Sequence, residues 1–183
     1  MASEIYDIVT SNVKSADLLS VANYNTYNPH PDFPDEKDAT GAYVNKIRPI
    51  KSGGVWWLNA GNSNAAEYTR YVSVVHNFKV DRYNGPTNAM LKVRPALTLN
   101  SSILANVAGR RVGDLVRFAD MMWIIITGTF VVCEDCIGSS PFNKDWKSPY
   151  AQYYTNIPNP EGGTALKSTV KQYIDDWLTY WKS

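Results

Sequence analysis

Two tryptophans side by side, in Val55-Trp56-Trp57-Leu58, constrain the fold of this chain more than any other feature. In an extended segment successive side chains point to opposite faces, so the two rings cannot enter the same core. One is expected to fill a core while the other covers a loop or sits half wet. The pair opens a stretch that runs to Asn100. A small polar segment around Gly61-Asn62-Ser63-Asn64 follows it, and Tyr68 to Val75 then has the alternation and β-branched content of a strand. Asn84-Gly85-Pro86 reads as a turn, and Lys92 to Leu99 as a further strand that carries Val93-Arg94-Pro95-Ala96-Leu97. Pro95 has no N–H for a ladder, which predicts an edge or a bulge at that point.

A chain of 183 residues suits a single domain, residues 1–183, with a sizeable core. A net charge of +1 is too near neutral to indicate a nucleic-acid partner or an acidic membrane surface. The N-terminal Met-Ala-Ser-Glu-Ile-Tyr lacks the basic start and apolar run of a secretory signal, so conventional export is not expected. The longest apolar run, Met121 to Cys133, falls short of the roughly 20 residues of a spanning helix; it reads as buried strand, with no membrane insertion. The twelve tyrosines, six tryptophans and five phenylalanines make the chain 13% aromatic, the unusual number in its composition, and half of these rings can be accounted for by packing. Tyrosine- and asparagine-rich surfaces bind partners with little loss of side-chain entropy.

Along the chain, residues 4–14 suit either a helix, through Ile5, Ile8 and Val9, or a strand, through Ile5-Tyr6, Val9 and Val13. Ser20 can cap a short helix over Val21 to Tyr27 that Asn28-Pro29 ends. Residues 28–40, with Pro29, Pro31, Pro34 and the acids Asp32, Asp35, Glu36 and Asp38, read as a surface loop. Ala42 to Ile50 is expected to be extended and closed by Arg48-Pro49, before Ser52-Gly53-Gly54 turns the chain into the tryptophan strand. Residues 101–111 join this half to a second. There Val112 to Phe118 begins a new β pattern, and Met122–Ile126 with Thr129–Cys133 form a hairpin around Thr127-Gly128. Gly138 to Gly163 reads as a long irregular surface excursion. Val170, Tyr173, Ile174, Trp177, Leu178 and Trp181 recur at helical spacing, with Ser168 or Thr169 as cap. The fold class is α+β, a mainly antiparallel sheet with two or three helices including a C-terminal amphipathic helix.

Trp56-Trp57-Leu58, the Asn/Ser-rich segment after it, the Tyr71-Val72 strand and Val93-Arg94-Pro95-Ala96-Leu97 together resemble an uncharacterised family of bacterial and phage domains. That family carries a Trp-Trp-Leu-Arg run and a terminal Val-Arg-Pro-Ala-Leu on a C-type-lectin-like, sulfatase-modifying-factor-like frame. Val112-Gly113-Asp114-Leu115-Val116-Arg117-Phe118, Trp123 and the helix from Ser168 resemble the family's opening strands and its serine-led helix. In the family those elements come first. Here residues 112–183 follow residues 1–100, the order of a circular permutation. Asn59 stands where the family has arginine.

The resemblance implies a non-catalytic virion protein, a capsid or tail decoration or receptor-binding module, made in the host cytoplasm and forming a homo-oligomer. Its partners would be other virion proteins and a host surface glycan or protein. Asn59, Asn62, Asn64, Glu67, Tyr68, Asn77, Tyr83 and Asn84 lie between the two motifs, where such a frame presents its binding surface. Trp56, Trp57, Trp123 and Trp177 are assigned to structure, as is Arg94, hydrogen-bonded to loop carbonyls beneath the tryptophans. The alternative is a bacterial ligand-binding module or an enzyme on a formylglycine-generating-enzyme-like frame. Cys133-Glu134-Asp135-Cys136 has the spacing of half a zinc site or a redox dithiol, and His30 and His76 could complete four ligands. Those histidines stand in unrelated segments, so paired or buried free thiols are the simpler reading. No metal, cofactor or catalytic residue is expected. The acidic loop is interrupted by prolines that disrupt calcium-ligand spacing, and the chain has no phosphate loop, zinc-protease helix or glycine-flanked serine.

Overall fold

The computed structural model describes residues 5–59, 72–83, 87–105, 107–144, 154, 155, 157, 159 and 161–183. The chain begins with β1 (Ile5–Asp7), a 3-10 turn at Thr10–Asn12, β2 (Val13–Leu18) and α1 (Val21–Tyr27). After the loop come β3 (Trp56–Trp57), β4 (Val72–His76), β5 (Lys79–Tyr83), β6 (Leu91–Val93) and β7 (Pro95–Leu99). Then follow β8 (Leu115–Phe118), β9 (Met121–Thr127), β10 (Phe130–Cys133), β11 (Gly138–Ser140) and α2 (Thr169–Lys182). One sheet has the order β1-β8-β9-β10-β7-β2 and the other β11-β6-β3-β4-β5. The β1–β8 and β3–β6 pairs are parallel and the others antiparallel, so the fold is α+β with mixed, mostly antiparallel sheets and two helices, one of them C-terminal. Each sheet takes strands from both sides of the 101–111 connection.

The double tryptophan divides between two cores rather than between a core and water. Trp57, Val74, Leu97, Trp123, Ile125 and Val131 face one cluster, which α2 covers with Val170, Ile174 and the partly buried Trp177. Their neighbours Trp56, Val75, Ala96, Ile124, Ile126 and Val132 face the other, covered by Tyr24 of α1 and by Ile47 and Ile50 of the following loop. Trp56 and Trp57 are 3% and 0% exposed; of the two outcomes expected for the second ring, the half-wet one is absent, and Trp56 packs instead against the loop residues Ile47 and Ile50. Strands covered on both faces read as unbroken apolar runs, which accounts for Trp123-Ile124-Ile125-Ile126. The indoles of Trp57 and Trp123 donate to Ser140 O at 2.8 Å and Phe118 O at 3.0 Å.

Both helices start where capping side chains stand. Ser20 Oγ accepts from Asn23 N and Ser168 Oγ from Lys171 N. Lys171, on the inner face of α2, reaches Asp17 and Asp175 at 2.7 Å each and Ala16 O at 3.2 Å, tying the helix to β2.

Four details differ from the sequence reading. Pro95 lies in β7, which is interior between β10 and β2; the prolyl residue is accommodated because it heads the strand, after a break at Arg94 where the chain passes between the sheets. Ala42–Ile50 is no strand beyond a bridge from Tyr43 to Lys37. Buried Asn28 exchanges two hydrogen bonds with Ile47, 2.8 and 2.9 Å, in place of a ladder. The segment from Gly138 is partly core: β11 extends a sheet, and Phe142 and Asn143 are buried. Finally, β4–β5 and β8–β9 turn through Asn77-Phe78 and Ala119-Asp120, all four with φ between 47° and 66°, the geometry of a type I′ hairpin without its usual glycine.

Candidate functional site

At one end of the second core the elements do not close. A cavity of about 200 Å³ remains between α1, the loop at Arg48-Pro49-Ile50, the Gly53-Gly54 turn, β3, β4 and the Asn77-Phe78 turn. Arg94 forms part of its wall from the junction of β6 and β7. Tyr24 and Trp56 contribute rings 5.6 Å apart, edge to face. The Tyr24 hydroxyl donates to Phe78 O at 2.7 Å and so pins the strained turn across the cavity from α1. Gly54 has φ +101°, a conformation that strains any residue with a Cβ, and an added Cβ would also lie 3.3 Å from Cε of the flexible Lys92 side chain.

Arg94 is 1% exposed. Its Nε donates to Cys133 O at 2.8 Å, one terminal nitrogen to Arg48 O at 2.6 Å and the other to Glu134 O at 3.2 Å. Its guanidinium carbon lies 5.3 Å from the Trp56 ring centroid. Burial lowers its pKa to about 10, against the pull of the nearby Cys133, Tyr24, Asp135 and Cys136, which leaves it a cation at neutral pH. The adjacent carboxylates are engaged elsewhere: Glu134 pairs with Lys51 at 2.9 Å, and Asp135 accepts from the Ser52 hydroxyl at 2.7 Å. Three carbonyls therefore hold a buried charge that has no ion-pair partner among the described residues.

The residues expected to bind are brought together only in part. Asn77 lines the cavity and is exposed. Asn59 does not line it; its backbone N–H donates to Leu19 O at 2.8 Å and its side-chain amide to Leu18 O at 3.4 Å. Asn62, Asn64, Glu67, Tyr68 and Asn84 lie outside the described residues, and Tyr83 is placed in β5 by its backbone alone. Tyr24, Arg48, Ile50 and Phe78 were not singled out in the sequence. They come from separate segments, and no local pattern relates them. Arg48-Pro49 and Gly53-Gly54 left marks, but they read only as the close of an extended segment and as a plain turn.

The cysteine motif is a pair of free thiols. Burial pushes the Cys133 thiol up to about 12, and Cys136 Sγ lies 3.6 Å from Ser52 Oγ. His30 is fixed through its backbone to Asn45, and His76 is exposed at the end of β4. Among the described residues no group of three or more His, Cys, Asp or Glu side chains could hold a metal ion. In the acidic loop, Asp38 closes its own turn by accepting from Thr40 N, the Thr40 hydroxyl and Ala42 N, and Asp32 pairs with Lys79. No described helix is long and apolar enough to cross a membrane. Comparison of the chain with protein-family models, with curated proteins and with solved structures finds no match.

Proposed function

We propose that this chain is a non-catalytic recognition module of a phage particle, a permuted C-type-lectin-like frame that decorates the capsid or tail or contacts the host surface. The chemistry of the cavity wall carries its non-catalytic part, and the resemblance of the tryptophan and Val-Arg-Pro-Ala-Leu motifs suggests the phage part. Among the described residues its lining, which includes Tyr24, Arg48, Trp56, Asn77, Phe78 and Arg94, holds donors and rings, and no histidine, thiol, carboxylate, lysine or aliphatic hydroxyl. Such a wall can hold a ligand, but it lacks the groups that ordinarily act as nucleophile or general base near neutral pH. Its one ionisable hydroxyl, on Tyr24, has its pKa raised by burial and its proton committed to Phe78 O. The cavity also supports a second reading, a bacterial ligand-binding module, ahead of an enzyme on the same frame.

Mass spectrometry of purified particles, beside the soluble fraction of the infected cell, tests the assignment. The chain should be enriched in the particle in a repeated copy number, with light scattering of the isolated protein showing a homo-oligomer. Recovery only in the soluble fraction would overturn the virion role, and turnover of a substrate would overturn the non-catalytic one.

A further inference from the structure

We infer that the cavity binds a small carboxylate carried on a ring, with the carboxylate on Arg94 and the ring against Trp56 and Tyr24. A guanidinium has five N–H donors. Arg94 uses one on each nitrogen, which leaves one spare N–H on each terminal nitrogen of a residue that lines the cavity. The indole N–H of Trp56 is a further spare donor: those of Trp57 and Trp123 reach carbonyls, and that of Trp56 has no acceptor among the described residues. At the rim stand the exposed Arg48, stacked at 4.0 Å on the Tyr43 ring, and the exposed amide of Asn77.

A guanidinium with N–H groups to spare beside a cavity is answered best by a carboxylate, which can accept two of them side by side. No carboxylate of the described chain lines the cavity, so the anion comes from outside. A phosphate suits the space less well, because the remaining wall is aromatic and aliphatic (Tyr24, Trp56, Ile50, Val75) and matches a flat or chair-shaped ring beside the charge. Uronic acid sugars and aromatic acids share that chemistry. The inference deepens the recognition reading and rests on this cavity as its contact site, but it does not depend on where the protein is found.

The test is a titration of the isolated full chain with sodium benzoate and sodium glucuronate, each beside its neutral amide, benzamide and glucuronamide. Proton–nitrogen spectra follow the Arg94 Nε–H and Trp56 indole signals. At least one acid should move both signals saturably and bind at least about tenfold more tightly than its amide, the factor that one charge-assisted hydrogen bond supplies. Which acid binds more tightly distinguishes a sugar ligand from an aromatic one. Arg48→Ala, which keeps the backbone carbonyl that Arg94 uses, should weaken the acid about threefold or more and leave the amide unchanged. Equal binding of acid and amide, or no saturable shift with either acid, overturns the inference. Particle composition is measured separately, so the two readings can fail independently.

Discussion

Replacing Arg94 with methionine keeps most of the side-chain volume and removes the charge at the junction of the two sheets. The loss can be worked from its contacts. Three carbonyls, at Arg48, Cys133 and Glu134, lose a charged donor at 2.6 to 3.2 Å. A buried acceptor left unpaired costs about 1–3 kcal/mol; only the Cys133 contact is fully buried and the other two are part-buried, so about 9 kcal/mol is a ceiling for the three. Against this, the variant no longer has to desolvate a guanidinium, which recovers several kcal/mol. The net expectation is a loss of about 2–4 kcal/mol, because the stripped carbonyls lie on two separate segments, Arg48 on one and the adjacent Cys133 and Glu134 on the other, and cannot all relax towards water. Urea unfolding followed by tryptophan fluorescence measures it; with a slope of about 2 kcal/mol/M, the midpoint should fall by about 1–2 M. A shift under about 0.5 M with unchanged slope, or a gain in stability, would refute the structural assignment of Arg94. The charge would then be held at a cost to stability, as expected of a group kept only for binding.

Other consequences follow from the same packing. Gly128→Ala, in the β9–β10 turn, would put a Cβ 2.2 Å from Ser102 Oγ, a hydroxyl that accepts from Leu104 N; a loss of about 1–3 kcal/mol is expected in urea melts, largely restored by adding Ser102→Gly. Maleimide should label Cys136 in the native chain and reach Cys133 only on unfolding, because Cys133 is buried with its thiol pushed up to about 12; two fast-reacting thiols in native buffer would contradict this. The Lys171 network sets a pH window. Burial works against both charged groups, but the contacts of Lys171 with Asp17 and Asp175 outweigh it and raise the lysine pKa, while Lys167 and Lys171 likewise lower that of Asp175. A lowered carboxylate adds stability above its unfolded value of about 4 that is lost as pH falls through the folded one; a raised ammonium adds stability that is lost as pH climbs past about 10.5. Lys171→Met should therefore cost about 1–2 kcal/mol, modest because Asp17 is partly exposed, and flatten the melting temperature against pH at both extremes. Unchanged curves would remove the network from the stability of α2.

The local elements were legible where short-range rules act alone. Ser20 and Asn28 bracket α1 as read, and Ser168 with the apolar spacing of Val170, Ile174 and Trp177 marks α2, because capping and helical periodicity involve neighbours three or four residues apart. The 121–133 hairpin was equally plain. The turns at Asn77-Phe78 and Ala119-Asp120 were not, since neither carries the glycine that signals a type I′ turn, and tertiary contacts such as Tyr24 to Phe78 O hold the former in place. Of the candidate site, Arg94 was read for its carbonyl bonds and Asn77 for its position; Asn59 is instead bonded to the β2–α1 junction.

What adjacent residues settle between themselves was written in the chain: helix ends, strand alternation, and the rule that Trp56 and Trp57 face opposite ways if they lie in a strand, as they do in β3. Whether the second face met water or another core was decided by partners distant in sequence. Ile47 and Tyr24 close over Trp56 only after β3 has paired with β4 and β6, and the cavity beside Arg94 is the space that this closure leaves. A space bounded by segments dozens of residues apart has no period or motif of its own, so it comes into being only once the chain has folded.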